Sequence, residues 1–475
     1  MRHSKYLLIF LALFLSLAIL AGCGNGPGKT PETSPATDKP AESGSTEPAP
    51  QTEPSDHDPS DEPWAGDLQE SSIEETVLFD EQGVKITALE LSFGSYAAEL
   101  KLELENKTDI DWNISTGFLN YSGGTAVNGR MLDVYADFDI MAGKKSIESL
   151  RFSTDELALL GVTKMAEIEL GFYIRDKDDR DSFFITGPLS LKTSAADHVQ
   201  TQDAFRKTIV NKAAQELFEY KLIHFSEDEI FNEKGIHILS QALIHQDEDT
   251  LLLLEVENSA DEHIYLAARS LFLNGLLVDD STLTGQFINP GTRRLVALDL
   301  TARLSQDFAD LYGVKEIGEI LFSVTLEDGE HKDLLEPREV KVTVPGAKAV
   351  YDGSGKELFN QDGIRIIYKD LLPDPYDFID DIHLLLLVEN TGSTDYIFTD
   401  PYDALSVNDY MTDYYNMTLD IPKGGAAVID IGIDYDSLEE NGIYEISDIR
   451  LIEMVFKVMD NRYDVLSSPR ITLTY

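Results

Sequence analysis

Short apolar runs and polar turns alternate from about residue 71 to the end of the chain, and the same order of runs recurs three times. Leu78-Phe79-Asp80-Glu81-Gln82-Gly83-Val84-Lys85-Ile86 matches Ile230 to Ile238 and Leu358 to Ile366. The Gly of this element is followed 23, 23 and 27 residues later by an Asn that closes an apolar run: Asn106, Asn258 and Asn390. A hydrophobic-Asn-Gly/Asp step follows at Val127-Asn128-Gly129, Leu273-Asn274-Gly275 and Val407-Asn408-Asp409. A turn Gly comes next (Gly143, Gly291, Gly424), then Gly-Val/Ile at Gly161, Gly313 and Gly442, then a Pro-led alternating strand from Pro188, Pro337 and Pro469. From the Asn to that Pro is 82, 79 and 79 residues, so the spacing is that of an internal repeat.

Each landmark predicts a local structure. Leu100, Leu102 and Leu104 alternate with Lys101, Glu103 and Glu105, a half-buried strand of period two. The equivalent runs LLLLEV and HLLLLV are apolar on both sides and predict strands covered on both faces. Gly83, Gly235 and Gly363 predict equivalent turns with positive φ, and Asn-Gly between strand-like runs predicts a type I′ hairpin. TDELALLGV, LSQDFADLYGV and DYDSLEENGI each predict one helical turn. The expected fold is all-β: three tandem antiparallel β-sandwich modules of immunoglobulin-like type over 71–196, 223–346 and 347–475. Pro188 to Phe231 is 43 residues where Pro337 to Phe359 is 22. Within the excess, Phe205, Ile209, Ala213 and Leu217 recur every four positions after Asp203. This predicts one amphipathic helix in a linker over 197–222, with Asp203 as its N-cap.

The N-terminal part has another composition. Met1 to Lys5 is basic, and Tyr6 to Leu20 is an uncharged apolar run of signal-peptide length. It ends in Leu20-Ala21-Gly22-Cys23, which resembles the bacterial lipobox. That resemblance implies cleavage before Cys23, a diacylglyceryl group on its thiol, and a place on the extracytoplasmic face of the cell membrane, with 1–23 as signal peptide. Residues 24–70 hold nine of the chain's 18 prolines and few aliphatic side chains, which predicts a disordered Pro/Ser/Thr/Glu-rich tether. From about Ile73 to Tyr475 the repeat pattern resembles the immunoglobulin-like repeat domains of uncharacterised Gram-positive surface lipoproteins. The resemblance implies fold and location, and carries no activity and no functional residues.

Charge and chemistry narrow the function classes. Across 475 residues, 86 Asp+Glu stand against 38 Lys+Arg, a formal charge of −48. A basic face for nucleic acid is not expected. A single Cys excludes an internal disulfide. No G-x-S-x-G, H-E-x-x-H or P-loop occurs, and the nine His form no i, i+2 or i, i+4 pair, so no cofactor and no metal are expected. The acidic run Asp176 to Asp181 lacks the Gly and the late Glu of a calcium loop and reads as a solvated turn. The third module has no Lys or Arg between Lys369 and Lys423, and this span is rich in Tyr and Asp. Tyr402, Tyr410, Tyr414 and Tyr415 are its candidate contacts for a protein or glycan partner at the cell surface. The expected function is a non-catalytic, lipid-anchored binding or scaffolding rod. The alternative is an envelope enzyme or accessory factor, for example a glycan-processing one, with a dispersed carboxylate site.

Overall fold

A computed structural model describes residues 66, 68–116, 124–179, 181–301, 306–329, 331–373, 381–415 and 417–475. The signal peptide, Cys23 and almost all of the tether lie outside the described residues. Among the described residues the chain is all-β with five short α-helices, and its sheets are built mainly from antiparallel pairs.

In the first repeat, Thr76–Glu81, Val84–Phe93, Ala97–Asn106 and Lys145–Ser153 form a four-stranded sheet in that order. The equivalent strands of the second repeat include Ile236–Gln246, Asp249–Asn258 and Arg293–Asp299, and those of the third Ile364–Pro373, Ile382–Asn390 and Ala426–Ile433. The later strands of each repeat form a second layer. In the second repeat they are long: Ile264–Leu273, Leu276–Ile288, Glu319–Asp328 and Asp333–Thr343. In the first and third they are broken, as between Glu167–Leu170 and Tyr173–Asp176. Pro337 sits at a register shift in the outermost strand of its sheet, where a missing N–H costs little.

The predicted turns are present. Gly83, Gly235 and Gly363 have φ of 78°, 80° and 79°. Each follows a residue that also has positive φ, Gln82, Lys234 or Asp362, so these turns are type I′ as well. Asn128-Gly129, Asn274-Gly275 and Asn408-Asp409 share that geometry. The predicted helical turns are Thr154–Leu159, Gln306–Leu311 and Tyr435–Glu440.

Two sets of asparagines hold the repeat together, and their side chains do the same work three times. Asn106, Asn258 and Asn390 are buried at the strand end. The Nδ2 of each donates to two backbone carbonyls, for example Asn258 to Glu262 and Ile288, both at 2.8 Å. The Oδ1 accepts from the N–H two residues on, at 2.9 Å in all three. A buried amide with donors and acceptors both used bridges strand end and loop, a role no apolar residue fills. Asn128, Asn274 and Asn408 do likewise from the hairpin turn. Asn274 Oδ1 accepts from Gly318 and Glu319 N–H, and Asn408 Oδ1 accepts from Arg450 and Leu451 N–H.

The repeats join by hydrogen-bonding one sheet into the next. The hairpin strand Arg130–Leu132 pairs in parallel with Arg293–Asp299 at Arg130↔Arg293. Leu276–Ile288 pairs in parallel with Ala426–Ile433 at Leu276↔Ala426 and Leu277↔Ala427. A nine-stranded and an eight-stranded sheet therefore cross the two joints. Hydrophobic packing crosses them too. Ala126 and Met131 belong to the core cluster of the second repeat, and Leu277 to that of the third. This explains the strand patterns. Ala97–Asn106 alternates between buried and half-buried, whereas Asp249–Asn258 is buried continuously from Leu251 to Val256 because the preceding repeat covers its outer face.

The linker helix differs from expectation. Two helices, Ala204–Val210 and Lys212–Leu217, meet at Asn211, which leaves the helical region with ψ 128°. Its side chain accepts from Ala213 and Ala214 N–H and caps the second helix, while Asp203 makes no side-chain cap bond. An Asx cap competes with continuation of a helix, so the apolar stripe slips by one residue. Phe205 and Ile209 are buried as predicted, but Ala214 and Phe218 continue the stripe, and Leu217 is 50% exposed.

Candidate binding surface

The tyrosine-rich span of the third repeat starts from the hairpin Leu405–Val407 and Tyr410–Met411, which Asn408 locks to the neighbouring strand. Tyr410 is therefore presented on the outermost strand of its sheet and is 54% exposed. Tyr402 precedes this hairpin and is 84% exposed. Tyr415 is also exposed, and its ring lies over the backbone of Gly432, where a Cβ would stand 2.9 Å from Tyr415 Cδ2. Tyr414 is different. It is half-buried against the third core cluster and its hydroxyl donates to the Pro401 carbonyl, so it braces the loop that carries Tyr402. Tyr376 lies outside the described residues.

The field around these rings is acidic. The carboxylate of Asp381, helped by burial and by Asp434 and Asp436, pushes the Tyr415 phenol upward. The hydroxyl stays protonated and offers one donor beside several acceptors. Flat amphipathic rings set among carboxylates suit an aromatic-stacking partner with donor groups to spare. The Asp176 run is a solvated turn: Asp176 Oδ1 accepts from Asp178 and Asp179 N–H at 2.8 and 3.3 Å. Among the described residues no group of three or more His, Cys, Asp or Glu is placed to hold a metal ion.

The sequence reading missed a buried ionic cluster at the first joint. Arg130 Nη1 meets Glu255 Oε1 at 2.6 Å, Arg206 Nε meets Glu255 Oε2 at 2.9 Å, and Arg293 bridges Glu255 and Glu257 at 3.2 and 2.6 Å. Ser240 Oγ adds a hydrogen bond to Glu255 at 3.0 Å. Burial opposes the Glu255 charge, but the guanidinium of Arg130, then Arg206 and Arg293, holds the carboxyl below its usual range. One signal was available: Glu255 interrupts an apolar run where the third repeat has Leu387. Its partner Arg130 stands 125 residues away and carries no such mark.

A second acid lies beside this cluster. Glu156 shares a small pocket with Met131, Asp133, Leu159, Leu160, Arg294 and Leu295. Burial, and then the Asp133 carboxylate, push its carboxyl up to about 7, against a hydrogen bond from Asp133 N–H and the charge of Arg294. Arg294 is itself ion-paired with Asp133. Phe308 and Ser437 occupy the corresponding positions of the other repeats, so this acid pair is peculiar to the first.

No family model and no curated protein matches the chain. Solved structures that align with it include one titled as structural insight into host cell surface retention of a 1.5-MDa bacterial ice-binding adhesin. It is 9% identical over 80% of this chain and 90% of that one, with a TM-score of 0.14. A glycosyl hydrolase family 2 member from Bacteroides cellulosilyticus is 11% identical over 48% of this chain and 28% of its own, with a TM-score of 0.16. A Bacteroides uniformis β-glucuronidase is 9% identical over 48% and 26%, with a TM-score of 0.15. The chain thus spans about a quarter of these two enzymes. At such scores the likeness assigns neither activity nor ligand.

Proposed function

We propose that this is a lipid-anchored protein on the extracytoplasmic face of the cell membrane, acting as a non-catalytic binding or scaffolding rod. Three immunoglobulin-like sandwiches in tandem form the rod, Cys23 carries the lipid, and residues 24–70 space it from the membrane. The continuity of hydrogen-bonded sheets across both joints carries the reading, because it couples the repeats in a fixed register. Tyr402, Tyr410 and Tyr415 in their acidic surroundings support a binding surface for a protein or glycan, without nucleic acid.

Cys23→Ala should move the protein from the membrane to the soluble fraction. Sedimentation with membranes in detergent-free buffer would refute the anchor. Replacing Tyr402, Tyr410 and Tyr415 by Ser should abolish retention on cell-wall glycan or protein ligands with melting unchanged. Unchanged retention on every ligand bound by the parent would remove the surface. The enzyme reading rests on the half-buried Glu156 beside Asp133. Glycan cleavage by the parent chain that Glu156→Gln abolishes would replace the rod with an enzyme.

A further inference from the structure

Both joints use the same donor and acceptor. The donor is the second strand of the Asn hairpin, and the acceptor is the strand after the turn Gly of the next repeat. Two side chains mark the contact. On the donor, Met131 and Leu277 are 3% and 0% exposed and sit in the core cluster of the following repeat. On the acceptor, Leu295 and Val428 are 9% and 7% exposed, each in a cluster with residues of the preceding repeat. Among the described residues the third donor and the first acceptor pair with no strand on their outer edge, although Asn441 Nδ2 donates to the Met411 carbonyl at 3.4 Å. The strand Tyr410–Met411 ends one sheet and Lys145–Ser153 ends another. Met411 stands in the place of Met131 and Leu277, and is 58% exposed. Ile147 stands in the place of Leu295 and Val428, and is 61% exposed. Each of these exposed residues belongs to a trio whose other two members are buried.

We propose that the chain associates head to tail with further copies of itself: Tyr410–Met411 of one molecule pairs in parallel with Lys145–Ser153 of the next, burying Met411 and Ile147. The interface is heterologous, so it builds a filament or a closed ring of several copies rather than a symmetric dimer. Asp409 and Asp413 flank the donor in the sequence, and Lys144 and Lys145 open the acceptor, where Lys145 already pairs with Glu103 at 2.9 Å and Glu105 at 3.5 Å, so shape and strand register rather than charge set this orientation. The contact is weaker than the internal joints for two reasons. The helix-end positions that hold Leu160 and Tyr312 in the first two repeats hold Asn441 in the third, whereas Tyr312 donates across its joint to the Leu386 carbonyl at 2.8 Å. The internal joints also form within one chain, at high effective concentration.

The test is sedimentation velocity on the full-length chain carrying Cys23→Ala in a non-ionic detergent, across a wide concentration series. The mean mass should rise beyond a dimer with concentration. Met411→Lys and Ile147→Lys, both at exposed positions, should each leave monomers with the melting temperature of the parent. Mixing the two variants should give dimers and nothing larger, because each retains one competent end. A monomer at every concentration overturns the proposal. So does association that survives both substitutions, or dimers lost with Met411→Lys but kept with Ile147→Lys, which would mean symmetric pairing of the tips.

Discussion

The first joint is ionic and the second apolar, although one backbone pairing builds both. Arg130 and Glu255 meet across the first. Leu276 and Leu387 occupy the same two positions at the second and share a core cluster with Leu385, Ala426 and Val428. The slot accepts either solution because its geometry is set by backbone hydrogen bonds, not by the side chains that fill it. The two solutions are not equivalent in energy. Apolar packing tolerates partial loss, whereas a buried carboxylate needs every partner. Glu255 has three guanidiniums and a hydroxyl, and one of them, Arg206, comes from the helical linker that the second joint lacks. The longer linker is thus part of the ionic joint. The joints are not interchangeable, since swapping repeats would bury Glu255 without Arg130 and Arg206.

The largest effect is expected from Glu255→Leu, which leaves the buried Arg130 without a carboxylate, while Arg206 and Arg293 keep Glu227 and Glu257, and should cost ~3–5 kcal/mol. Adding Arg130→Leu imitates the second joint and should recover part of that loss. Denaturation followed by Trp112, buried in the first repeat, together with hydrogen exchange at Arg293–Asp299, measures both. If the double variant is no better than the single, the equivalence of the two joints fails. Leu276→Ala should cost about 2–4 kcal/mol through its cavity, with faster exchange confined to Ala426–Ile433. Faster exchange in the first repeat as well would mean that the joints do not act separately.

Gly363→Val and Gly235→Val should each cost ~1–3 kcal/mol, since a Cβ there meets backbone at 2.9 Å in a left-handed turn. Gly83→Val should cost more, because its Cβ would meet the Thr108 methyl, and Thr108 Oγ1 is tied to Asn106, Ile110 and Trp112, so the methyl cannot rotate away without breaking these hydrogen bonds. Equal losses at all three would show that the turn conformation alone sets the cost. The smallest effect concerns pH. Glu156 is held above its usual range, so its stabilising contribution is complete below about 4.5 and is lost as pH rises through about 7. Glu255 is held below its range, so its contribution is present above about 4.5 and is lost on acidification. Glu156→Gln should raise stability at pH 8 by about 1–3 kcal/mol and flatten the profile between 4.5 and 7. An unchanged profile would place the Glu156 carboxyl in water.

What the sequence determined is local and periodic. The alternation around Leu102, the turn glycines and the Asn hairpins each follow from a few neighbouring residues, and their threefold recurrence exposed the repeat. The continuous apolar runs at Leu252 and Leu384 even required that both faces be covered. Tertiary structure decided what covers them, and how. Asn211 could extend a helix or cap a new one, and packing of Ala214 and Phe218 selected the cap. Tyr414 and Tyr415 are neighbours of one type, yet one turns to the core and the other to solvent. Arg130 finds Glu255 only when two repeats dock. Periodicity records the environment of one strand, whereas a joint depends on which residues a distant strand brings to the same few ångströms.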